Sequence, residues 1–185
     1  MNIFRNTNLN LDRRSLFIII FGLISILILF MFFRVAFFVI FLVLLNLAGG
    51  FVVSRQRMVL NMFGFEFVTF STIFAGFAFG PVIGVIIGVL GRLCEAVSMK
   101  HNFSLAVTLP MYAGLGFLAG IIHPSNVVAA GIMMAIAFSI IGSAMTFVLL
   151  QGRPFTMAVF TTTQIIFNFL LISYLFPIFF TLVKI

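Results

Sequence analysis

The residues of this chain that could do chemistry are few, and they stand out because almost everything around them is apolar. Its acidic residues are Asp12, Glu66 and Glu95. Glu66 opens one long apolar run, and Arg92 and Glu95 stand near the end of the next. A spacing of three places Arg92 and Glu95 on one helix face, where a guanidinium and a carboxyl group can pair. That pairing leaves Glu66 to meet Arg55, Arg57 or something bound. Further on, Thr161, Gln164 and Asn168 follow the 3-then-4 spacing of one helix face. Such a polar stripe must face protein or water rather than lipid, either holding helices together or lining a cavity. His101 and Asn102 share a short polar connection, and Arg153 stands in another. His101 and His123 lie on separate loops with no second ligand at metal-binding spacing, so a metal centre is not expected.

Ionisable groups in hydrocarbon are costly unless paired or hydrated, so Glu66, Arg92 and Glu95 read either as internal ion pairing or as a polar ligand site. Catalytic patterns are missing from the sequence. It has no paired carboxylates, no serine beside a general base, no glycine-rich phosphate loop ending in Lys-Ser/Thr, and no H-E-x-x-H. Neither an enzyme nor a resident cofactor is expected; binding, passage or assembly is. The single cysteine, Cys94, excludes an intramolecular disulfide and reads as a small apolar packing residue.

The elements that position these groups follow from composition. Of 185 residues, 64% are hydrophobic and 7% charged, with a mean hydropathy of +1.37. A soluble globular domain is excluded. At about 20 residues per crossing the chain has room for about six or seven spans. Apolar stretches bounded by charge, proline and glycine predict helices at about 15–33, 35–53, 64–79, 81–99, 104–122, 126–150 and 155–182. The runs are continuously apolar rather than alternating, which favours helices over a membrane barrel and makes the fold all-α and polytopic. The first run is too long for the core of a secretory signal and is read as a retained span. A helix from Ser15 to Val53 would reach roughly 58 Å at 1.5 Å per residue, so a break is expected near Arg34. Phe79-Gly80-Pro81 predicts a second tight turn. Residues 1–34 are thus read as a cytoplasmic tail and first span, and 35–185 as a six-helix membrane core.

Gly84 and Gly88 fall on one helix face, and Gly116 and Gly120 on another, each a surface where backbones can approach closely or where a subunit can dock. The net charge of +7 would suggest nucleic acid on a soluble protein, but the basic residues are scattered at span ends and read as lipid-headgroup anchors. With a cytoplasmic N-terminus, the positive-inside tendency puts Arg5, Arg13, Arg14, Arg55, Arg57, Lys100 and Arg153 inside, and Arg34 and Lys184 outside.

From Phe65 to Val97 the pattern resembles the substrate-binding S component of energy-coupling factor (ECF) transporters. The matching features are Glu66 at a polar start, Ala75-Gly76, then Phe79-Gly80-Pro81, Gly84 and Gly88, and a charged helix end at Arg92. Pro110-Met111-Tyr112 to Leu118-Ala119-Gly120 fits the next span of that family. The resemblance implies a six-helix core that captures a vitamin, vitamin precursor or metal at the outer face of the cell membrane. It also implies partners on other chains, a transmembrane coupling subunit and two ATPases. Carried onto this chain, the site would draw on Arg55, Arg57, Glu66, Arg92, Glu95, His101, Asn102, Arg153 and Gln164, with Asn168 further along the same polar stripe. The several arginines suggest an anionic substrate. The resemblance puts the Arg55, Lys100 and Arg153 loops outside, opposite to the charge distribution. A second reading, a membrane scaffold resembling the D-type rod-shape-determining protein, requires no solute, and its polar groups would be satisfied by neighbouring helices.

Overall fold

The computed structural model describes residues 18, 20–26, 33–55, 65–99, 105–150 and 154–184. Among them the chain is all-α, without strands. The elements are α1 (residues 20–26), α2 (Arg34–Arg55), α3 (Val68–Phe79), α4 (Pro81–Met99), α5 (Leu105–Ile121), α6 (Val127–Leu150) and α7 (Pro154–Lys184). It divides into two compact units, Met1–Phe37 and Phe38–Ile185. In the first, the apolar side chains of α1 are exposed. All that follows concerns the second.

Three stretches are long and apolar enough to cross a membrane: Arg34–Val52, Val127–Leu149 and Pro154–Val183. Only 11% of the most apolar window of α6 is buried, although its composition is that of a protein interior. An apolar surface of that extent suits lipid rather than water, and the protein is a helical membrane protein. By contrast α3 has 12 residues, about 18 Å at 1.5 Å per residue, and falls short of a bilayer core of about 30 Å. The apolar run predicted at 64–79 thus becomes a shorter helix preceded by non-helical residues 65–67.

Between α3 and α4 the chain turns on a single residue. Gly80 has φ +91°, a conformation that costs a side-chain-bearing residue strain, and its N–H donates to Gly76 O. Pro81 then opens α4, where an amide would have had no helical partner. This turn folds α4 back along α3, and α5 packs against both. A Cβ at Gly84 would lie 2.5 Å from Gly116 O; one at Gly88 would lie 2.6 Å from Tyr112 O; one at Gly120 would lie 2.2 Å from Pro81 Cα. The small-residue faces meet each other within the chain, backbone against backbone, and α4 and α5 run antiparallel.

α6 and α7 form a second antiparallel pair, with Ser143 against Thr161 and Gly131 against Phe176. Phenylalanines from α2, α3 and α7 fill one end of the interior: Phe38 and Phe74 have ring centroids 5.9 Å apart, Phe74 and Phe180 5.1 Å, and Phe70 and Phe176 5.3 Å. The polar residues gather toward the other end.

The contact between α4 and α5 leaves no room for a methyl group at Gly116, whose Cβ would lie 2.3 Å from the backbone of Gly84. Gly116→Ala should lower stability in detergent by about 1–3 kcal/mol. Gly114→Ala, two residues away and with nothing within 4 Å of its Cβ, should leave it unchanged or slightly raised. Thermal or denaturant unfolding of the two variants checks this, and an equal loss in both would refute the close backbone contact.

Candidate functional site

Polar side chains of α3, α5 and α7 converge on one carboxyl group beside the first turn of α3. Glu66 stands two residues before α3 and is 8% exposed. Its Oε1 accepts hydrogen bonds from Thr69 Oγ1 at 2.7 Å, from Tyr112 OH of α5 at 2.6 Å, and from Gln164 Nε2 of α7. Gln164 lies about 15 Å along α7 from Pro154, and Tyr112 about 10 Å along α5 from Leu105, at 1.5 Å per residue. The carboxyl group thus sits well inside the ends of the helices that contact it. Only the short α3, starting deep, can bring its preceding residue to that level.

On α4, Arg92 and Glu95 form the i,i+3 ion pair that their spacing predicts. Arg92 Nε also donates to Thr108 Oγ1 of α5 at 2.9 Å, and Arg92 lies within electrostatic reach of Glu66 and Tyr112. The ion pair and the Glu66 centre therefore form one polar cluster, drawn from α3, α4, α5 and α7. Among the described residues it holds two carboxyl groups and one guanidinium.

The stripe on α7 divides by depth. Thr161 Oγ1 meets Ser143 Oγ of α6, Gln164 reaches Glu66, and Asn168, fully buried, donates from Nδ2 to Gln164 O at 3.0 Å. Asn168 Oδ1 receives no hydrogen bond, and neither does the buried Ser139 Oγ of α6. Elsewhere in the interior, Asn46 of α2 stands 3.4 Å from Ser71 Oγ, whose single hydrogen already serves Phe67 O at 2.7 Å. Turning the Asn46 amide over would let its nitrogen donate to Ser71 and leave no donor stranded.

Of the residues singled out from the sequence, Glu66, Arg92, Glu95, Gln164 and Asn168 are brought together. Arg55 closes α2, with its side chain outside the described residues, and Arg57, His101, Asn102 and Arg153 lie outside them altogether. The sequence left Glu66 to the arginines or to a ligand. Among the described residues its partners are the neutral donors Thr69, Tyr112 and Gln164. Thr69 and Tyr112 escaped notice in the sequence, although each carries a usable signal. Thr69 stands three residues after Glu66 at a helix start, and a tyrosine inside an apolar run must find a partner for its hydroxyl. Thr108 has no comparable signal.

Among the described residues no group of three His, Cys, Asp or Glu could hold a metal ion. Comparison with protein-family models, with curated proteins and with solved structures gives no match.

Removing one donor from a buried acceptor costs about 1–3 kcal/mol. Tyr112→Phe should therefore destabilise the protein by that amount, and the loss should shrink when Glu66→Gln is already present. A double-mutant cycle on detergent stability measures this coupling, and strict additivity would show that the hydroxyl and the carboxyl group do not interact.

Proposed function

We propose that this protein is a multi-pass protein of the cell membrane that captures a small polar molecule, as the S component of an ECF-type uptake transporter does. Passage across the membrane would then depend on a transmembrane coupling subunit and ATPases on other chains. The observation that carries this reading is the convergence of Arg92, Glu95, Tyr112 and Gln164 from three helices on Glu66, which precedes a fourth, in the half of the bundle opposite the phenylalanines. Groups that are expensive to bury in an apolar bundle are gathered here at one level. Purely structural polar contacts need only pairs, and such pairs could be dispersed among the helices. The end concerned is the one at which α2, α4 and α6 finish and α5 and α7 begin. In this reading it faces outward, where the solute is met.

One observation favours a scaffold instead. Arg92 is paired with Glu95, and Glu66 with Tyr112 and Gln164, so neighbouring helices already satisfy much of the cluster. The positive-inside tendency of Arg55, Arg57, Lys100 and Arg153 points the same way, since it would turn this end toward the cytoplasm. A scaffold of that kind would organise membrane partners and hold no solute.

Native mass spectrometry of the purified full chain, followed by identification of released small molecules, separates the two. Capture predicts a stoichiometric small molecule that is lost, or held at least tenfold more weakly, in Arg92→Ala. A protein that is repeatedly empty and carries a membrane partner would replace capture with the scaffold. Labelling of single cysteines placed at 58 and 102 with an impermeant reagent on intact cells gives the orientation; capture from outside requires that both react.

A further inference from the structure

The hydrogen-bonding positions left unfilled around Glu66 share one chemical character. Oε1 of Glu66 is taken by three donors, while Oε2 receives none among the described residues. One turn along α7, Asn168 is 0% exposed and its Oδ1 has no partner, its nitrogen being occupied by Gln164 O. On α6, Ser139 is 1% exposed and its hydroxyl has no partner either.

These groups face one another. α6 and α7 are antiparallel, with Ser143 against Thr161, so Ser139, one turn earlier on α6, lies opposite the stretch from Gln164 to Asn168. Phe138, next to Ser139, packs its ring on Tyr112 at 4.7 Å, and Tyr112 donates to Glu66. The buried amide oxygen and hydroxyl thus stand close to the level of the Glu66 carboxyl group, and all three groups can accept. Leaving the Asn168 oxygen and the Ser139 hydroxyl dry is costly, so the level is built to be filled by a hydrogen-bonding group.

Resting on the capture reading, we infer that this level binds the protonated amine of the captured molecule, with its N–H groups directed to Glu66 Oε2, Asn168 Oδ1 and Ser139 Oγ. A primary ammonium has three hydrogens and no acceptor, which matches three groups that can each accept, the Ser139 hydroxyl doing so with its own hydrogen turned aside. The ring pair Phe138 and Tyr112 suits a body that is apolar next to the charge. This ligand differs from the anionic one that the arginine count suggests. Arg92, the guanidinium in the cluster, is paired with Glu95 and Thr108, whereas two carboxyl groups stand beside it.

The test uses the purified full chain and two probes that share a ring and differ in head group, benzylamine and benzoate, with the thermal unfolding midpoint followed as each is titrated. Benzylamine should raise the midpoint saturably and benzoate should not. Glu66→Gln and Ser139→Ala should each weaken the benzylamine response at least tenfold. Ser139→Ala should leave the midpoint without ligand no lower than before, because a dry hydroxyl has no bond to lose, and this separates binding from folding if Glu66→Gln is unstable. Asn168→Asp should strengthen the amine response, which a merely structural role for Asn168 would not do. Stabilisation by benzoate equal to that by benzylamine, or an amine response unaltered in Ser139→Ala, overturns the assignment. If the molecule released in native mass spectrometry lacks a basic nitrogen, the amine assignment fails and capture stands. If nothing is released and neither probe acts, capture fails with it.

Discussion

A carboxyl group buried in an apolar bundle is the constraint on which the arrangement of this protein depends. Left without partners, Glu66 would cost several times what a typical side-chain contact returns. The hydrogen bonds that make its burial tolerable come from three different elements, Thr69 beside it, Tyr112 on α5 and Gln164 on α7. Each bond has a narrow range of length and angle, so the carboxyl group specifies how far α5 and α7 stand from the start of α3. Glycines permit that approach on one side, since α4 and α5 meet backbone to backbone at Gly84 and Gly116. On the other side α7 is held by rings, with Phe176 against Phe70 and Phe74. A close-packed seam, a rim of phenylalanine and a central acceptor thus set one another's positions.

Much of the architecture was legible in the sequence because its causes are local. Long apolar runs can only be helices, and Gly80-Pro81 admits a helix start but no continuation, so α4 to α7 begin and end within a few residues of where charge, glycine and proline place them. The Arg92–Glu95 pair was equally plain, being set by the pitch of one helix. What escaped was set between elements. The start of α3 at Val68 rather than at 64 depends on how deep Glu66 must lie to meet Tyr112 and Gln164, and these are 46 and 98 residues away. Glycine spacing showed that backbones would meet closely but not that the partner of Gly84 is Gly116 of the same chain. Gln164 was recognisable as a group that cannot face lipid, yet only the folded chain names what it faces.

The boundaries between helices differ in what would have to break for them to move. Separating α3, α4 and α5 means opening contacts in which a glycine lies directly against backbone, and α6 and α7 are likewise tied by Gly131 against Phe176 and Ser143 against Thr161. Between these two groups the contacts include phenylalanine rings, Met111 against Gly142 and the bond from Gln164 to Glu66. Flat rings can slide where interlocked backbones cannot. Gln164 and Asn168 lie four residues apart on the same face of α7, so a translation of α7 by about 6 Å along its axis would bring the Asn168 amide, on a side chain one methylene shorter, toward the place that the Gln164 amide now holds. The carboxyl oxygen would then have an amide on the same face of α7 beside it at both ends of that stroke.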